Sequence, residues 1–242
     1  MRRTIIVGDV HGCHEELETL LDRVAFSEGD QLVLVGDLVA RGPDPTKVFD
    51  LVRHAKGRFV RGNHEEKLLG WRRAVREGKR KKGDLDALGR MHREVAEQLR
   101  EDDWDAMDQA PLAMHLPHHG VVVVHAGILP GIGWSQQRPE TLLHIRGVTS
   151  DGKGTDAKDA KRLWGTVYVG GPHIVFGHNA MNEPQLHPYA TGIDTGCVYG
   201  GRLTALVVGS HEKLPRGDAV RENLVSVPAR RTYFDWTKKK SG

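Results

Sequence analysis

Five separate apolar runs in this chain end in side chains of the types that bind metal ions. In chain order, those side chains are Asp9 with His11, Asp37, Asn63, His125 and His178. Each has an ordinary explanation by itself, because Asp and Asn favour turns and a histidine is often a hydrogen-bonded core residue. Five strand-like runs that end on complementary ligand types instead favour one shared metal site.

The donor types predict which metals this site would hold. Nitrogen and oxygen donors without a thiolate suit manganese, iron, zinc or cobalt better than copper or an iron–sulfur cluster. Six side chains are too many for one catalytic ion that must keep an open position. We therefore expect two divalent ions, roughly 4 Å apart, that share one carboxylate, with Asp37 as the bridge.

A pair of ions of this kind favours hydrolysis at phosphorus. The ions acidify a bridging water to hydroxide, neutralise the phosphoryl oxygens and orient an in-line attack, so no nucleophilic serine or cysteine is needed. His64, which follows a predicted ligand, is the candidate to protonate the leaving oxygen. Arg41 and Arg61 stand close to predicted ligands and are candidates to bind phosphoryl oxygens through the guanidinium group. A further phosphate contact is predicted at Arg146 or Arg162.

The apolar runs are predicted to be buried strands whose loops present these side chains. They cover residues 5–7, 31–35, 58–60, 121–124 and 173–176, and helical stripes at 15–25 and 46–55 separate the first three. The alternation predicts an α/β fold with an open sheet or two packed sheets flanked by helices. The functional crevice of such sheets lies at the carboxyl ends of the strands, so these loops are expected to converge.

The rest of the chain supplies further elements. Residues 65–110 predict a helical insertion or cap, in which Trp71 and Trp104 are expected to pack in a core rather than stack on a base. Later segments predict a hairpin at 112–124, a polar mobile loop at 149–161, strands that finish the sheet within 193–208 and an edge strand at 223–227. We expect one domain over residues 1–242, with this insertion and a basic C-terminal tail.

Composition and charge exclude several classes of protein. Hydrophobic residues make up 38% of the 242 residues and charged residues 28%, which is typical of a globular chain rather than a disordered one. No apolar stretch approaches the ~20 residues that span a membrane, and no export signal is evident. Cys13 and Cys197 do not suggest a disulfide framework, so a cytoplasmic location is expected. Basic clusters at 76–82 and 238–240 are interpreted as solvated surface, and no stable nucleic-acid complex is predicted.

Five ordered motifs in residues 5–208 resemble the signature of the calcineurin-like metallophosphoesterases. They are Gly8–Gly12 (GDVHG), Gly36–Pro43 (GDLVARGP), Gly62–Glu65 (GNHE), His125–Gly127 (HAG) and Gly177–His178 (GH). The resemblance implies a four-layer αββα sandwich and a dinuclear centre that is often loaded with manganese. It implies that the metal ligands are Asp9, His11, Asp37, Asn63, His125 and His178. The residues expected to serve catalysis or substrate binding are His64, Asp37, Arg41, Arg61, Asn63 and Arg146.

Within that superfamily the chain resembles the branch that holds serine/threonine phosphoprotein phosphatases and symmetrical diadenosine tetraphosphate hydrolases. Phosphoprotein phosphatases usually carry an aspartate where this chain has Ala40, and that aspartate pairs with the histidine that corresponds to His64. Alanine cannot orient an imidazole. The resemblance therefore implies symmetrical cleavage of diadenosine tetraphosphate to two ADP. The alternatives are a broad phosphomonoesterase or serine/threonine phosphatase that acts on small phosphates or phosphopeptides, and a nucleotide-binding regulator without turnover.

Overall fold

Two five-stranded sheets form the centre of the molecule. The computed structural model describes residues 3–79 and 88–235. The first sheet contains, in spatial order, β12 (Leu224–Pro228), β11 (Arg202–Val208), β1 (Thr4–Val7), β2 (Gln31–Leu34) and β3 (Arg58–Phe59). Strands β1, β2 and β3 are parallel, whereas β11 runs antiparallel to both of its neighbours. The carboxyl ends of the first three strands therefore lie along one edge.

The second sheet also contains three neighbouring parallel strands. Its spatial order is β4 (Ala113–Leu116), β5 (Val121–Val124), β8 (His173–Phe176), β10 (Ala190–Gly192) and β9 (Gln185–Leu186). Strands β5, β8 and β10 are parallel, and antiparallel strands close both edges. A separate two-stranded ribbon joins β6 (Gly147–Val148) to β7 (Gly154–Thr155).

The two sheets pack face to face, which explains why the strand sequences are apolar without interruption. In β1, Ile6 packs into the core between the sheets, while Ile5 and Val7 pack into the helical core on the other face. In β5, Val121 and Val123 face the first sheet, and the alternate valines face the outer side. Both faces of these strands are buried, so both sets of alternate residues are apolar.

Helices cover the outer faces and complete four layers, as the αββα prediction requires. Those that pack against the first sheet are α1 (His14–Arg23), α2 (Pro45–His54), α3 (Asn63–Arg76), α4 (Arg90–Gln98) and α5 (Glu101–Gln109). The second sheet is covered by α6 (Pro139–His144) and a 3-10 helix at Trp164–Thr166. Helix α2 shows why a boundary falls where it does: Asp44 accepts a hydrogen bond from Lys47 N (3.1 Å), and Pro45 occupies the first turn.

Most predicted elements are confirmed, and two require correction. The hairpin, the edge strand and the helices of the insertion are present, although residues 80–87 lie outside the described part of the chain, as do the basic residues 238–240. The predicted loop at 149–161 contains β7, which pairs with β6. The segment expected to continue the sheet at 193–201 instead contains a 3-10 helix at Cys197–Tyr199, because Gly196 and Gly200 on either side adopt left-handed backbone. Over residues 3–79 and 88–235, no helix has the length and apolar character needed to cross a membrane.

Candidate dinuclear metal centre

The six predicted ligands converge where the carboxyl ends of both sheets meet. The first sheet supplies Asp9 and His11 after β1, Asp37 after β2 and Asn63 at the start of α3. The second sheet supplies His125 after β5 and His178 after β8. Parallel pairing places these loops at one edge of each sheet, and the face-to-face packing brings the two edges together.

Asp37 lies at the centre of this cluster. Its Oδ2 is 3.6 Å from His11 Nε2 and 3.9 Å from His64 Nε2, and its Oδ1 is 3.5 Å from His125 Nε2. Two groups of candidate ligands share this one carboxylate: His11 and His64 on one side, His125 and His178 on the other. A carboxylate between two sets of imidazoles has the placement that a bridging ligand needs.

The remaining donors connect the two sheets. Asn63 Oδ1 lies 3.0 Å from His125 Nε2 and 2.9 Å from His178 Nδ1. The backbone N–H of His178 donates to both carboxylate oxygens of Asp9, at 3.2 and 3.1 Å. His178 is therefore in direct contact with Asp9 and Asn63, both of which lie more than 100 residues earlier in the sequence.

The loops that carry these donors adopt left-handed backbone at several residues. Positive φ angles occur at His11 (47°), Asp37 (51°), Ala40 (70°), Arg41 (70°) and His178 (65°). Such angles are unfavourable for residues other than glycine, and they cluster at functional sites where surrounding contacts enforce them.

Glu65 is a buried carboxylate that holds two of these loops and that the sequence argument did not assign a role. Its oxygens accept hydrogen bonds from the backbone N–H groups of Asp37 (2.9 Å), Leu38 (2.8 Å), Val39 (3.1 Å) and Gly62 (2.8 Å). The available signal was its position three residues after Gly62, where an acidic side chain caps a helix start. Glu65 fixes the loop after β2 to the start of α3.

The electrostatics of the cluster fit a bound cation. Burial raises the pKa of Asp37 and of Asp194 to about 6 and the pKa of Asp9 well above its usual range. Burial also lowers the pKa of His125 to about 4. Among the described contacts, the buried Nε2 atom of His178 has no hydrogen-bond partner. Buried carboxylates that repel one another, beside neutral imidazoles, are suited to divalent ions, which would stabilise the charged carboxylates.

A cavity of about 200 Å³ opens over the cluster and contains two of the predicted phosphate-binding arginines. Its lining residues are Asp37, Arg41, Asn63, Arg146, Lys158, His178, Asn179, Ala180 and Tyr199. Arg41 Nη1 donates to His11 Nε2 (2.7 Å), and its guanidinium lies over the Tyr199 ring at 5.5 Å. Arg146 Nη1 donates to Asn179 Oδ1 (2.7 Å). Both guanidinium groups are thus held where an anion entering the cavity would meet them.

Two predicted arginines do not line this cavity. Arg61 Nη1 donates to Glu66 Oε2 (2.9 Å) and Nη2 donates to the carbonyl of Asp108, so its guanidinium ties β3 to the insertion. Arg162 is exposed and also lies outside the cavity lining. Of the two arginines proposed for a further phosphate contact, the structure therefore favours Arg146.

Besides Glu65, four residues of the site were missed by sequence reasoning. Asp194 follows β10 and raises the pKa of Asp9 through charge repulsion, so the rule that selected the other strand ends would also have found it. Tyr199 and Asn179 position the two arginines through contacts that no motif reveals. Lys158 lies in the segment that was predicted to be a mobile loop, and nothing in its sequence context distinguishes it from other surface lysines.

Two facing sheets share a cluster of carboxylates and imidazoles at one edge. This arrangement is typical of metal-dependent hydrolases. A family model described as "Calcineurin-like phosphoesterase" matches residues 2–215. The chain belongs to this family, and calcineurin-like phosphoesterases use a dimetal centre. It is therefore a metal-dependent phosphoesterase.

Relatives of this chain have a more specific name. A protein from Halalkalibacterium halodurans, named asymmetrical bis(5'-nucleosyl)-tetraphosphatase PrpE, is 36% identical over 221 residues, which are 83% of this chain and 88% of that protein. A protein of the same name from Oceanobacillus iheyensis is 33% identical over 83% of this chain and 86% of its own length. A crystal structure provisionally identified as a diadenosine tetraphosphatase superposes with a TM-score of 0.76 at 34% identity, covering 94% of this chain and 93% of the other.

Proposed function

We propose that this protein hydrolyses dinucleoside tetraphosphates at a dinuclear metal centre. The observation that carries the proposal is the position of Asp37, which lies between two groups of imidazoles beside a cavity lined by Arg41 and Arg146. Its close relatives are named for this class of substrate.

The proposed metal ligands are those predicted from the strand ends: Asp9, His11, Asp37, Asn63, His125 and His178. A pair of divalent ions supplies positive charge for the phosphoryl oxygens and lowers the pKa of water. Manganese is the proposed metal, with iron, zinc and cobalt as alternatives, because the donors are nitrogen and oxygen atoms without a thiolate. Metal analysis of the purified protein, followed by reconstitution of the stripped protein with each metal, tests this assignment.

The residues in and beside the cavity have separate tasks in this proposal. Arg41 and Arg146 bind phosphoryl oxygens and hold the polyphosphate chain over the centre. His64, whose Nε2 points towards Asp37, delivers a proton to the leaving oxygen. Asn63 contacts the substrate from the floor of the cavity as well as the metal.

The position of cleavage is proposed to be asymmetrical, with ATP and AMP as the products. The sequence motifs led us to expect symmetrical cleavage to two ADP, and that expectation is not confirmed. Relatives that are 36% and 33% identical over most of the chain are named asymmetrical enzymes, which favours the other position.

Product analysis tests this proposal. Protein loaded with manganese is incubated with diadenosine tetraphosphate and the nucleotides are separated by ion-exchange chromatography. ATP and AMP in equal amounts are expected, and two ADP would restore the symmetrical assignment. Higher catalytic efficiency on phosphopeptides than on the dinucleotide would overturn the proposal in favour of a protein phosphatase. If the absence of a carboxylate at residue 40 determines the substrate preference, Ala40→Asp should shift that preference towards phosphopeptides.

A further inference from the structure

A second cavity, of about 580 Å³, adjoins the proposed metal centre and shares Arg41 with the first. Its walls come from α3, from α4, from the loop that precedes α2, and from Tyr233 and Phe234 at the end of the described chain. We call it the insertion pocket, because α3 and α4 belong to the helical insertion. Its volume lies in the range of about 300–1000 Å³ that is usual for small-molecule sites.

The lining of the insertion pocket combines apolar surface with positive charge. Met91, Tyr233 and Phe234 are half-buried and present the apolar part. Lys67, Arg41 and Arg90 add positive charge to the lining, and Arg90 forms an ion pair with Glu94 (2.9 Å). The Tyr233 ring is fixed because its hydroxyl donates to Glu16 Oε1 (2.7 Å). A planar base suits the apolar part, and a polyphosphate chain suits the cations that lead to the centre.

We propose that the insertion pocket binds one nucleoside of the substrate, with the base against the aromatic side and the phosphates directed past Arg41 to the metal centre. This inference rests on the proposed function, which supplies a substrate that carries a nucleoside on the phosphates. It gives the helical insertion a task that the motifs did not reveal.

Inhibition by two ligands that differ by a nucleoside isolates this contact. The inhibition constants of AMP and of inorganic phosphate are measured against hydrolysis of p-nitrophenyl phosphate. Phe234→Ala and Met91→Ala should raise the constant for AMP about tenfold, the size expected for losing one base contact, and leave the constant for phosphate unchanged. The exposed Ile132→Ala is the matched control, in which neither constant should change.

The outcomes separate this inference from the proposed function. Equal increases for AMP and phosphate would mean that the variants damage the metal centre, and no increase for AMP would mean that the nucleoside lies elsewhere. Either result overturns the inference. If the protein fails to hydrolyse dinucleotides but the effect on AMP is present, the proposed function fails and the insertion pocket stands as a nucleotide site.

A different observation concerns the orientation of His64. Its Nδ1 lies 2.8 Å from Nε2 of His92 on α4, and both imidazoles are buried. Its other nitrogen, Nε2, points towards Asp37 Oδ2 at 3.9 Å. Ala40 has only a methyl group and cannot hydrogen-bond to an imidazole. The loop after β2, which contains Ala40, therefore offers His64 no side-chain partner at this residue. Helix α4 of the insertion supplies one in His92.

The geometry points to His92 as a positioning residue for His64. A hydrogen bond at Nδ1 restricts rotation of the ring and keeps Nε2 directed towards Asp37, as second partners do for other functional histidines. This inference rests on the role proposed for His64, but it does not depend on the identity of the natural substrate.

Aryl phosphates with different leaving groups distinguish positioning from general support of the fold. His92→Leu should lower kcat about 10- to 100-fold on phenyl phosphate, whose leaving oxygen needs a proton. It should have much less effect on p-nitrophenyl phosphate, whose leaving group departs unaided. His92→Gln, which restores a polar atom near the position of Nε2, should recover most of the loss.

The double variant completes the test. If His92 acts through His64, adding His92→Leu to His64→Ala should cause no further loss, because the two side chains act as a unit. Equal losses on both aryl phosphates, or additive losses in the double variant, would overturn the positioning role. If His64→Ala loses equal activity on both aryl phosphates, His64 is not the general acid. That result would overturn the role of His64, and it is distinct from a failure of the role of His92 alone.

Discussion

Asp37 and His64 approach each other at the proposed centre, yet they have different tasks there. His64→Ala should lower kcat on the dinucleotide about 10²- to 10³-fold, the usual contribution of a general acid, and should leave the metal content unchanged. Asp37→Ala should abolish activity and release both ions, because both share this carboxylate. Activity assays with metal analysis of the same samples check the prediction. Equal metal loss in the two variants would contradict the assigned roles.

The arginines provide a second comparison at this scale. Arg146→Ala should raise KM about tenfold or more, since the variant loses a charged contact to phosphate. Arg61→Ala should instead leave KM unchanged and lower the free energy of unfolding by about 1–2 kcal/mol, because its bonds to Glu66 and Asp108 are internal. Steady-state kinetics and urea unfolding of both variants check this. A rise in KM for Arg61→Ala would mean that Arg61 contacts the substrate.

The convergence of the predicted donors could be inferred from the sequence because side chains at the ends of parallel strands are placed by topology. Asp9, Asp37 and His125 follow strands whose boundaries are readable from their apolar runs, so their convergence follows from parallel pairing. The direction of a long flexible side chain is not fixed in this way. Arg61 stands two residues before Asn63, but neighbours that sequence could not place, Glu66 and Asp108, turn its guanidinium away from the site.

At the scale of elements, the loops of the centre leave no room for added side-chain atoms. A Cβ at Gly177 would overlap Asp9 Oδ1 and press against Val35, whereas at Gly70 of α3 the nearest atom of another residue is 4.0 Å away. Gly177→Ala should therefore displace Asp9 and cost metal and activity. Gly70→Ala should retain activity and stabilise the protein by about 0.5–1 kcal/mol, as expected in a helix. Metal analysis and thermal unfolding distinguish the pair, and a fully active Gly177→Ala would contradict the close packing.

The start of β1 is tied to the loop before β2 by an ion pair that should affect stability in acid. The Arg3 guanidinium, 2.6 Å from Asp30, lowers the pKa of that carboxyl to about 2. A lowered folded pKa means that the unfolded state binds the proton more tightly. The stabilisation is therefore complete above about pH 4 and is lost as the pH falls towards 2.

Urea unfolding of the wild type and Asp30→Asn at pH 6 and pH 3 checks this expectation. The stability difference between the two proteins should shrink at the lower pH. The exposed Asp218→Asn is the control, and its small difference from the wild type should not change in the same way. A difference for Asp30→Asn that is independent of pH would rule out the ion pair as its cause.

The insertion shows where element prediction from sequence stops. The apolar spacing predicted its helices because Leu68, Val95 and Met107 all face the core over the first sheet. The same pattern carries no information about the polar residue His92, which lies on the same face of α4 as Val95 and reaches His64, or about the pocket that α4 helps to line. Likewise, the tilted contact of Trp104 with Trp71, 6.4 Å between ring centroids, confirms that these rings pack within the insertion, but only the fold shows that they are partners.

At the scale of the whole molecule, the proposed ions join the two sheets. The first sheet contributes Asp9, His11 and Asp37 with Asn63, and the second contributes His125 and His178. Removal of the ions with a chelator should lower the melting temperature. At metal concentrations about 100-fold above Kd the expected loss is about 2.7 kcal/mol, or roughly 5–10 °C for a chain of this length. Asp37→Ala is the control, because a protein without ions should not respond to the chelator.

The order of the strands has a consequence for synthesis on the ribosome. The proposed ligands are spread from residue 9 to residue 178, and β1, which leads to the first of them, takes β11 at Arg202–Val208 as its neighbour. A growing polypeptide therefore exposes four of the six donors, Asp9 to Asn63, long before His125 and His178 are synthesised. The ions are therefore expected to bind at the end of folding, after residue 208 has left the exit tunnel. They would stabilise the folded protein rather than nucleate its folding.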